Sequence, residues 1–167
     1  MTLLRAMPQI LAENPAAKLV IIGRGHMKKK LLKEAQKLAI SDSIFIESGM
    51  SFDDLAQHFR SADLVIYPSY YEGQGLIPLE AMSSSTPVIT VDMAPLTEMV
   101  DEKVGGLFKM GDSRDLANQV SKLLSDSESR ESMAKLGRKL VLSRYTYEHN
   151  ANDFLEIYQS IINKASQ

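Results

Sequence analysis

The chain of 167 residues has no cysteine and no tryptophan. Without cysteine there is no disulfide framework, no thiolate metal site and no thiol nucleophile. That is compatible with the cytoplasm, the expected location. An excess of charge is also missing: 19 Lys and Arg against 21 Asp and Glu leave a net charge of -2. The basic balance of a nucleic-acid binder and the acidic balance of a disordered chain are both excluded, so no nucleic-acid partner is expected. No apolar run approaches the ~20 residues of a membrane-spanning helix. The start, Met1-Thr2-Leu3-Leu4-Arg5, lacks the cleavable signal-peptide pattern. His26, His58 and His149 are scattered, with no metal-ligand spacing, so no metal is expected. No G-x-S-x-G elbow is present, which argues against a serine hydrolase. What remains is ordinary for a globular protein, 44% hydrophobic and 24% charged residues. At roughly 150 residues per domain, residues 1–167 are expected to form a single domain.

Short apolar runs alternate with helical patterns. The runs are Lys18 to Ile22, Ile44 to Ile46, Leu64 to Tyr67, Val88 to Val91 and Gly106 to Phe108. They are β-branched or aromatic and mostly bounded by turn residues, as buried parallel strands are. Between them lie expected helices at Leu3 to Asn14, Met27 to Ala39, Ser51 to Ser61, Leu76 to Ser83, Leu96 to Asp101 and Ser113 to Leu124. Alternation of this kind predicts an α/β fold: a Rossmann-like, doubly wound parallel sheet with helices on both faces. Two consecutive helices, Ser129 to Arg144 and Tyr147 to Lys164, close the chain. Ala151, Phe154, Leu155, Tyr158, Ile161 and Ile162 form one apolar stripe on the last, which is expected to cover a sheet edge or another domain. Ser51 before Asp53 and Asp54, Asp112-Ser113, and Ser127 with Ser129 mark helix starts.

The chemistry concentrates in Tyr67-Pro68-Ser69-Tyr70-Tyr71-Glu72-Gly73-Gln74-Gly75-Leu76-Ile77-Pro78-Leu79-Glu80-Ala81-Met82. This is a strand end, a glycine-containing loop and a helix start. Gly73 and Gly75 permit positive φ and close approach of backbone to a ligand. Pro78 falls in the first turn, where a missing N–H costs little. Free amides and the helix dipole at that start favour an anion, and the loop leaves the carboxyl end of a strand, where open α/β sheets bind ligands. Ionised Glu72 and Glu80 only accept hydrogen bonds, so hydroxyls are their natural partners. A sugar nucleotide carries both phosphates and hydroxyls. The plainer alternative stays open at this level: a turn, a solvated Glu72, and a Glu80 that only complements the dipole.

Glu72 through Glu80, with Gly73, Gly75, Leu76 and Pro78, resembles the E-x7-E motif of the retaining family 4 (group 1) glycosyltransferases, which have a GT-B fold. Ala62 to Ser69 resembles the strand leading into that motif. Glu80-Ala81-Met82 followed by Thr86-Pro87-Val88-Ile89 resembles the E-A-M-x-x-G-x-P-V-I continuation, with Ser85 at the usual glycine. Leu19 to Gly25 resembles L-x-I-x-G-x-G, and Tyr145-Thr146-Tyr147-Glu148 the opening of the family's long C-terminal helix. Asp92 to Glu98 resembles the family's G-G-x-x-E loop without its glycines. The likeness spans nearly the whole chain and points to the C-terminal, donor-binding half of the fold.

The resemblance implies transfer of a sugar from a nucleoside diphosphate to an acceptor with retained configuration. It assigns Glu80 to the donor ribose and Glu72, as the catalytic candidate, to the transferred sugar. The backbone at Gln74, Gly75 and Leu76 would hold the distal phosphate, with Gly73 beside it in the donor site. Gly23, Arg24 and Gly25 would line the nucleotide crevice, and Ser48, Gly49 and Met50 would border the base. No cofactor is implied beyond the nucleotide sugar, and GT-B enzymes generally need no metal for this step. The family's G-R-L-x-x-x-K-G segment and acceptor-binding N-terminal domain lie ahead of the residues matched here. A fragment with a rearranged sheet, an oligomer caused by truncation, and membrane contact only through the full-length protein are the corresponding expectations. Bacterial lipopolysaccharide or envelope polysaccharide assembly is a common role of the family. A non-catalytic nucleotide-binding module of the same fold is the main alternative, and a glycoside hydrolase using the two glutamates is another. Lys28, Lys29, Lys30, Lys33 and Lys37 read as a solvated helix surface.

Overall fold

The computed structural model describes residues 1–165. Its helices are α1 (Thr2–Glu13), α2 (Lys28–Lys37), α3 (Phe52–Ser61), α4 (Leu76–Ser83), α5 (Ser113–Ser125), α6 (Ser127–Arg144) and α7 (Tyr147–Ala165). Its strands are β1 (Leu19–Ile22), β2 (Ile44–Glu47), β3 (Val65–Tyr67), β4 (Val88–Val91) and β5 (Gly105–Phe108). One expected helix is corrected. Between 96 and 101 only Leu96–Glu98 winds, as a 3-10 turn behind Pro95. Leu96 and Val100 are both fully buried, and the amides of Val104 and Gly105 turn back onto the Asp101 carbonyl, so the chain is drawn along the core instead of winding on.

All strand pairs are parallel, as expected, but the strands divide into two sheets, β1-β2 and β3-β4-β5. Both sheets rest on one apolar cluster. Leu4, Met7 and Ile10 of α1 meet Leu116, Val120 and Leu123 of α5 there, over Ile44, Ile89, Val91 and Phe108. A second cluster joins Phe59 of α3, Ala81 and Met82 of α4, Val88, Val100 and Val141 of α6. Adjacent residues Val88 and Ile89 thus enter opposite clusters, as the alternation of a strand requires, and β4 is buried throughout. Each large apolar side chain so buried is worth about 1.5–3 kcal/mol. The doubly wound arrangement therefore holds for β3-β4-β5. On the first sheet only one face is covered, and Val20, Ile22 and Phe45 of the other face stay exposed, because α3, which leaves β2, carries its buried Phe59 to the second cluster.

The helix starts follow local hydrogen bonding. The Ser51 hydroxyl accepts from the Asp54 amide while the Asp54 carboxylate accepts from the Ser51 amide, a closed capping box. Asp112 accepts from the amides of Arg114 and Asp115. At α6 the cap is Asp126 and not the expected serines: its carboxylate takes both the amide and the hydroxyl of Ser129. Of the two coverings expected for the α7 stripe, a sheet edge is not the one found. Phe154, Leu155, Tyr158, Ile161 and Ile162 are each more than half exposed, and α7 touches α6 without covering a sheet edge. No helix among the described residues is long and apolar enough to cross a membrane.

Candidate functional site

The loop between β3 and α4 is built around one residue that must be glycine. Gly75 caps α4 in the left-handed region, with φ at 74°. It is buried, and a Cβ there would stand 2.9 Å from Leu96 Cδ2 and 3.2 Å from the Met99 thioether. Gly73, by contrast, faces open space. The loop is also tied to the body of the fold at Tyr70, whose hydroxyl bonds that of Thr2 at the start of α1. Behind α4, the amides of Ser85 and Thr86 return to the carbonyls of Met82 and Ala81, which closes a Schellman motif. Ser85 occupies its left-handed position at φ 62°. That conformation is the physical reason glycine suits this place.

The two glutamates are in opposite states. Glu72 is folded onto its own loop. Oε1 accepts the amides of Gly73 at 3.0 Å and Gln74 at 3.3 Å, and Oε2 accepts the phenol O–H of Tyr67. The Tyr67 bond first, and the amides after it, hold the Glu72 carboxyl below its ordinary pKa. Glu80 lies one turn into α4, and its carboxylate has no hydrogen-bond or ion-pair partner among the described residues. Partial desolvation pushes its carboxyl above the ordinary value. Neighbouring carboxyls with pKa values driven apart by their surroundings are a common arrangement of functional sites.

The resemblance implies a phosphate at the backbone of Gln74, Gly75 and Leu76; of these, the Gln74 amide, like that of Gly73, already donates to Glu72. The amides that helix geometry leaves without an internal acceptor are those of the first turn, at Leu76 and Ile77, and Leu76 is exposed. Sequence reasoning missed Tyr67 as the partner of Glu72. Its only signal was a hydroxyl-bearing residue at the strand end that opens the motif.

The remaining candidates gather on the first sheet. Gly23, Arg24 and Gly25 follow β1, and Ser48, Gly49 and Met50 follow β2. The two strand ends are joined by the Gly23 amide donating to the Glu47 carbonyl at 3.0 Å. The Arg24 guanidinium reaches over Gly49, 3.7 Å from where a Cβ would stand. Met50 lines an open pocket with Glu47, Asp54, Gln57 and His58, in which His58 Nε2 lies 3.3 Å from Glu47 Oε2. A second open pocket, between Ser85 and Lys135, Arg138 and Lys139 of α6, includes neither glutamate. Lys28, Lys29, Lys30, Lys33 and Lys37 are all exposed on α2. Among the described residues, no three His, Asp or Glu side chains come together as metal ligands.

Residues 1–140 match the family model described as glycosyl transferases group 1. An uncharacterized glycosyltransferase of Methanocaldococcus jannaschii is 34% identical over 158 residues, covering 94% of this chain and 40% of that protein. The chain thus spans less than half the length of this curated relative. Among solved structures, the C-terminal domain of a glycosyl transferase group 1 family protein (LpcC) from Francisella tularensis superposes with a TM-score of 0.79 at 27% identity, over 87% of this chain and 78% of that one. Anabaena HepE in complex with UDP-glucose superposes with a TM-score of 0.85 at 22% identity, over 95% of this chain and 44% of that one.

Proposed function

The chain belongs to the group 1 glycosyl transferases, and on that premise we propose that it is the donor-binding domain of a retaining enzyme that transfers a sugar from a nucleoside diphosphate. The observation that carries this reading is the Glu80 carboxyl. It sits beside a helix start with free first-turn amides, and among the described residues it has no protein partner. A carboxylate that neighbours an anion seat and lacks a donor is suited to a ligand with hydroxyls next to phosphates. Glu80 is assigned to the ribose and Leu76 with Ile77 to the distal phosphate. Arg24 and the crevice at Gly23, Gly25 and Ser48 to Met50 are assigned to the nucleotide. Glu72 is assigned to the transferred sugar. The developing charge on the leaving diphosphate would be met by the α4 start and by cations, in fixed positions that need no reorganisation as the bond breaks. The UDP-glucose bound in HepE supports the ligand class.

The split between the two sheets supports a further strand between them, supplied by sequence outside the matched domain. The exposed α7 stripe supports an acceptor-binding domain against which it packs. We propose a cytoplasmic setting and a role in envelope polysaccharide assembly on the family's common use.

A thermal-shift titration tests the reading. The chain is titrated with UDP, GDP, ADP, their sugar conjugates and NAD, beside Glu80→Ala. A ligand held by the folded chain alone stabilises it by about 2.7 kcal/mol at 100 times its Kd. One nucleoside diphosphate is expected to stabilise selectively, with the response weakened in Glu80→Ala. A flat response to every nucleotide, or an equal one in the variant, overturns the proposal.

A further inference from the structure

We infer that Tyr67 is a positioning residue of this site, whose phenol sets the placement of the Glu72 carboxylate before any sugar arrives. The inference rests on the donor-site reading above and extends it to a residue outside the motif. Tyr67 ends β3, where it pairs with Thr90 of β4. Its ring packs against both apolar clusters, so the hydroxyl is mounted on the most buried part of the fold. Pro68 follows it and fixes the next φ. The Ser69 hydroxyl donates to the Tyr71 carbonyl at 2.8 Å and braces the loop that follows. The phenol then donates across five residues to Glu72 Oε2.

The effect is to divide the work of one carboxylate. Oε1 is engaged by loop amides and keeps the chain from Glu72 to Gly75 in shape. Oε2 is held from the strand side. A carboxylate has about four lone-pair sites, so acceptor capacity remains toward a hydroxyl ligand. Without the phenol, the amides alone would fix one oxygen, and the other would be free to swing. The groups bonded to this carboxyl are the Tyr67 phenol and the amides of Gly73 and Gln74, with no charged side chain among them. A hydrogen bond to a charged acceptor is stronger than one between neutral groups, enough to govern the carboxylate's orientation.

Tyr67→Phe removes the hydroxyl and keeps the ring. The first readout is the titration of the Glu72 carboxyl, followed by carbon NMR on the full chain. Its midpoint is expected to rise toward the ordinary carboxylate range in the variant. The second readout compares Kd for UDP with UDP-glucose, GDP with GDP-mannose, and ADP with ADP-glucose. Loss of the sugar-dependent part of the affinity by about tenfold is expected, with diphosphate affinity unchanged within about twofold. In a Glu72→Gln background, Tyr67→Phe should have no further effect on that sugar increment, the signature of one coupled pair. An unmoved Glu72 midpoint overturns the inference. So does a parallel loss of diphosphate and sugar affinity with a lower melting temperature, which would make Tyr67 structural only. If the wild-type chain binds none of the nucleotides, the donor-site reading fails while the Glu72 titration still decides whether Tyr67 sets the carboxylate.

Discussion

Replacing Gly75 with alanine puts the design of the site to a quantitative test. Two costs arise at this position. A non-glycine residue in the left-handed region costs about 1–2 kcal/mol. The new methyl would also stand 2.9 Å from Leu96 Cδ2 and 3.2 Å from Met99 Cε and Sδ. Met99 is flexible and can yield. Leu96 is fully buried at 0% exposure and has no free space to enter, so an over-packing cost of about 1–3 kcal/mol is added. The sum is about 3 kcal/mol. At about 2–4 °C per kcal/mol for a chain of this size, the melting temperature should fall by about 6–12 °C. Gly73→Ala is the matched control: it lies in the same loop, with nothing within 4 Å of its Cβ, and should stay within about 1 kcal/mol of wild type. Differential scanning calorimetry with urea unfolding measures both. If Gly75→Ala melts with Gly73→Ala, the left-handed cap over Leu96 is not what shapes this loop.

Further outcomes follow from the same contacts. Gly105→Ala is expected to be worse than Gly75→Ala, because its Cβ would lie 2.0 Å from the Val88 carbonyl oxygen. Circular dichroism at rising temperature would show the β4–β5 pairing lost, and a wild-type-like melt would refute it. Ser85→Gly should stabilise the chain by about 1 kcal/mol by relieving the left-handed residue behind α4, and an unchanged urea midpoint would count against that. Ser51→Ala should cost about 1 kcal/mol by opening the α3 capping box, read from the same unfolding curves. The carboxyls predict two opposite pH responses. Glu72, Asp54 and Asp126 are held below their ordinary values, chiefly by the hydrogen bonds of Tyr67, Ser51 and Ser129 respectively. Their stabilisation is full above the ordinary carboxylate range and is lost as pH falls through their lowered values. Glu80 is raised by desolvation, so its ionised form opposes folding, and that penalty disappears as pH falls through the raised value. Glu80→Gln should therefore melt higher than wild type at neutral pH, with the gain shrinking in mild acid. A constant difference across that range would refute the assignment.

The sequence by itself determined the elements and their order. Period-two and period-3.6 apolar patterns are local, so β1 to β5 and α1 to α7 could be read within a residue or two, and α4 was read as Leu76 to Ser83, the span observed. The motif residues Glu72, Gly75 and Glu80 were legible through their resemblance to a family motif, since their spacing alone left a plain turn open. The tertiary structure decided what each does with its neighbours. Whether Glu72 is free or engaged depends on Tyr67, which is set by the core beneath it and not by the motif. Whether Gly75 is replaceable depends on Leu96 and Met99, about twenty residues away in the chain. The 96–101 segment had helical spacing, but burial of Leu96 and Val100 overrode it. That the α7 stripe leaves the sheet edges uncovered was equally hidden, because an apolar pattern states that a face must be covered without stating by what. Local periodicity fixes secondary structure at short range. Partners fixed by packing across long separations appear only once the chain is folded.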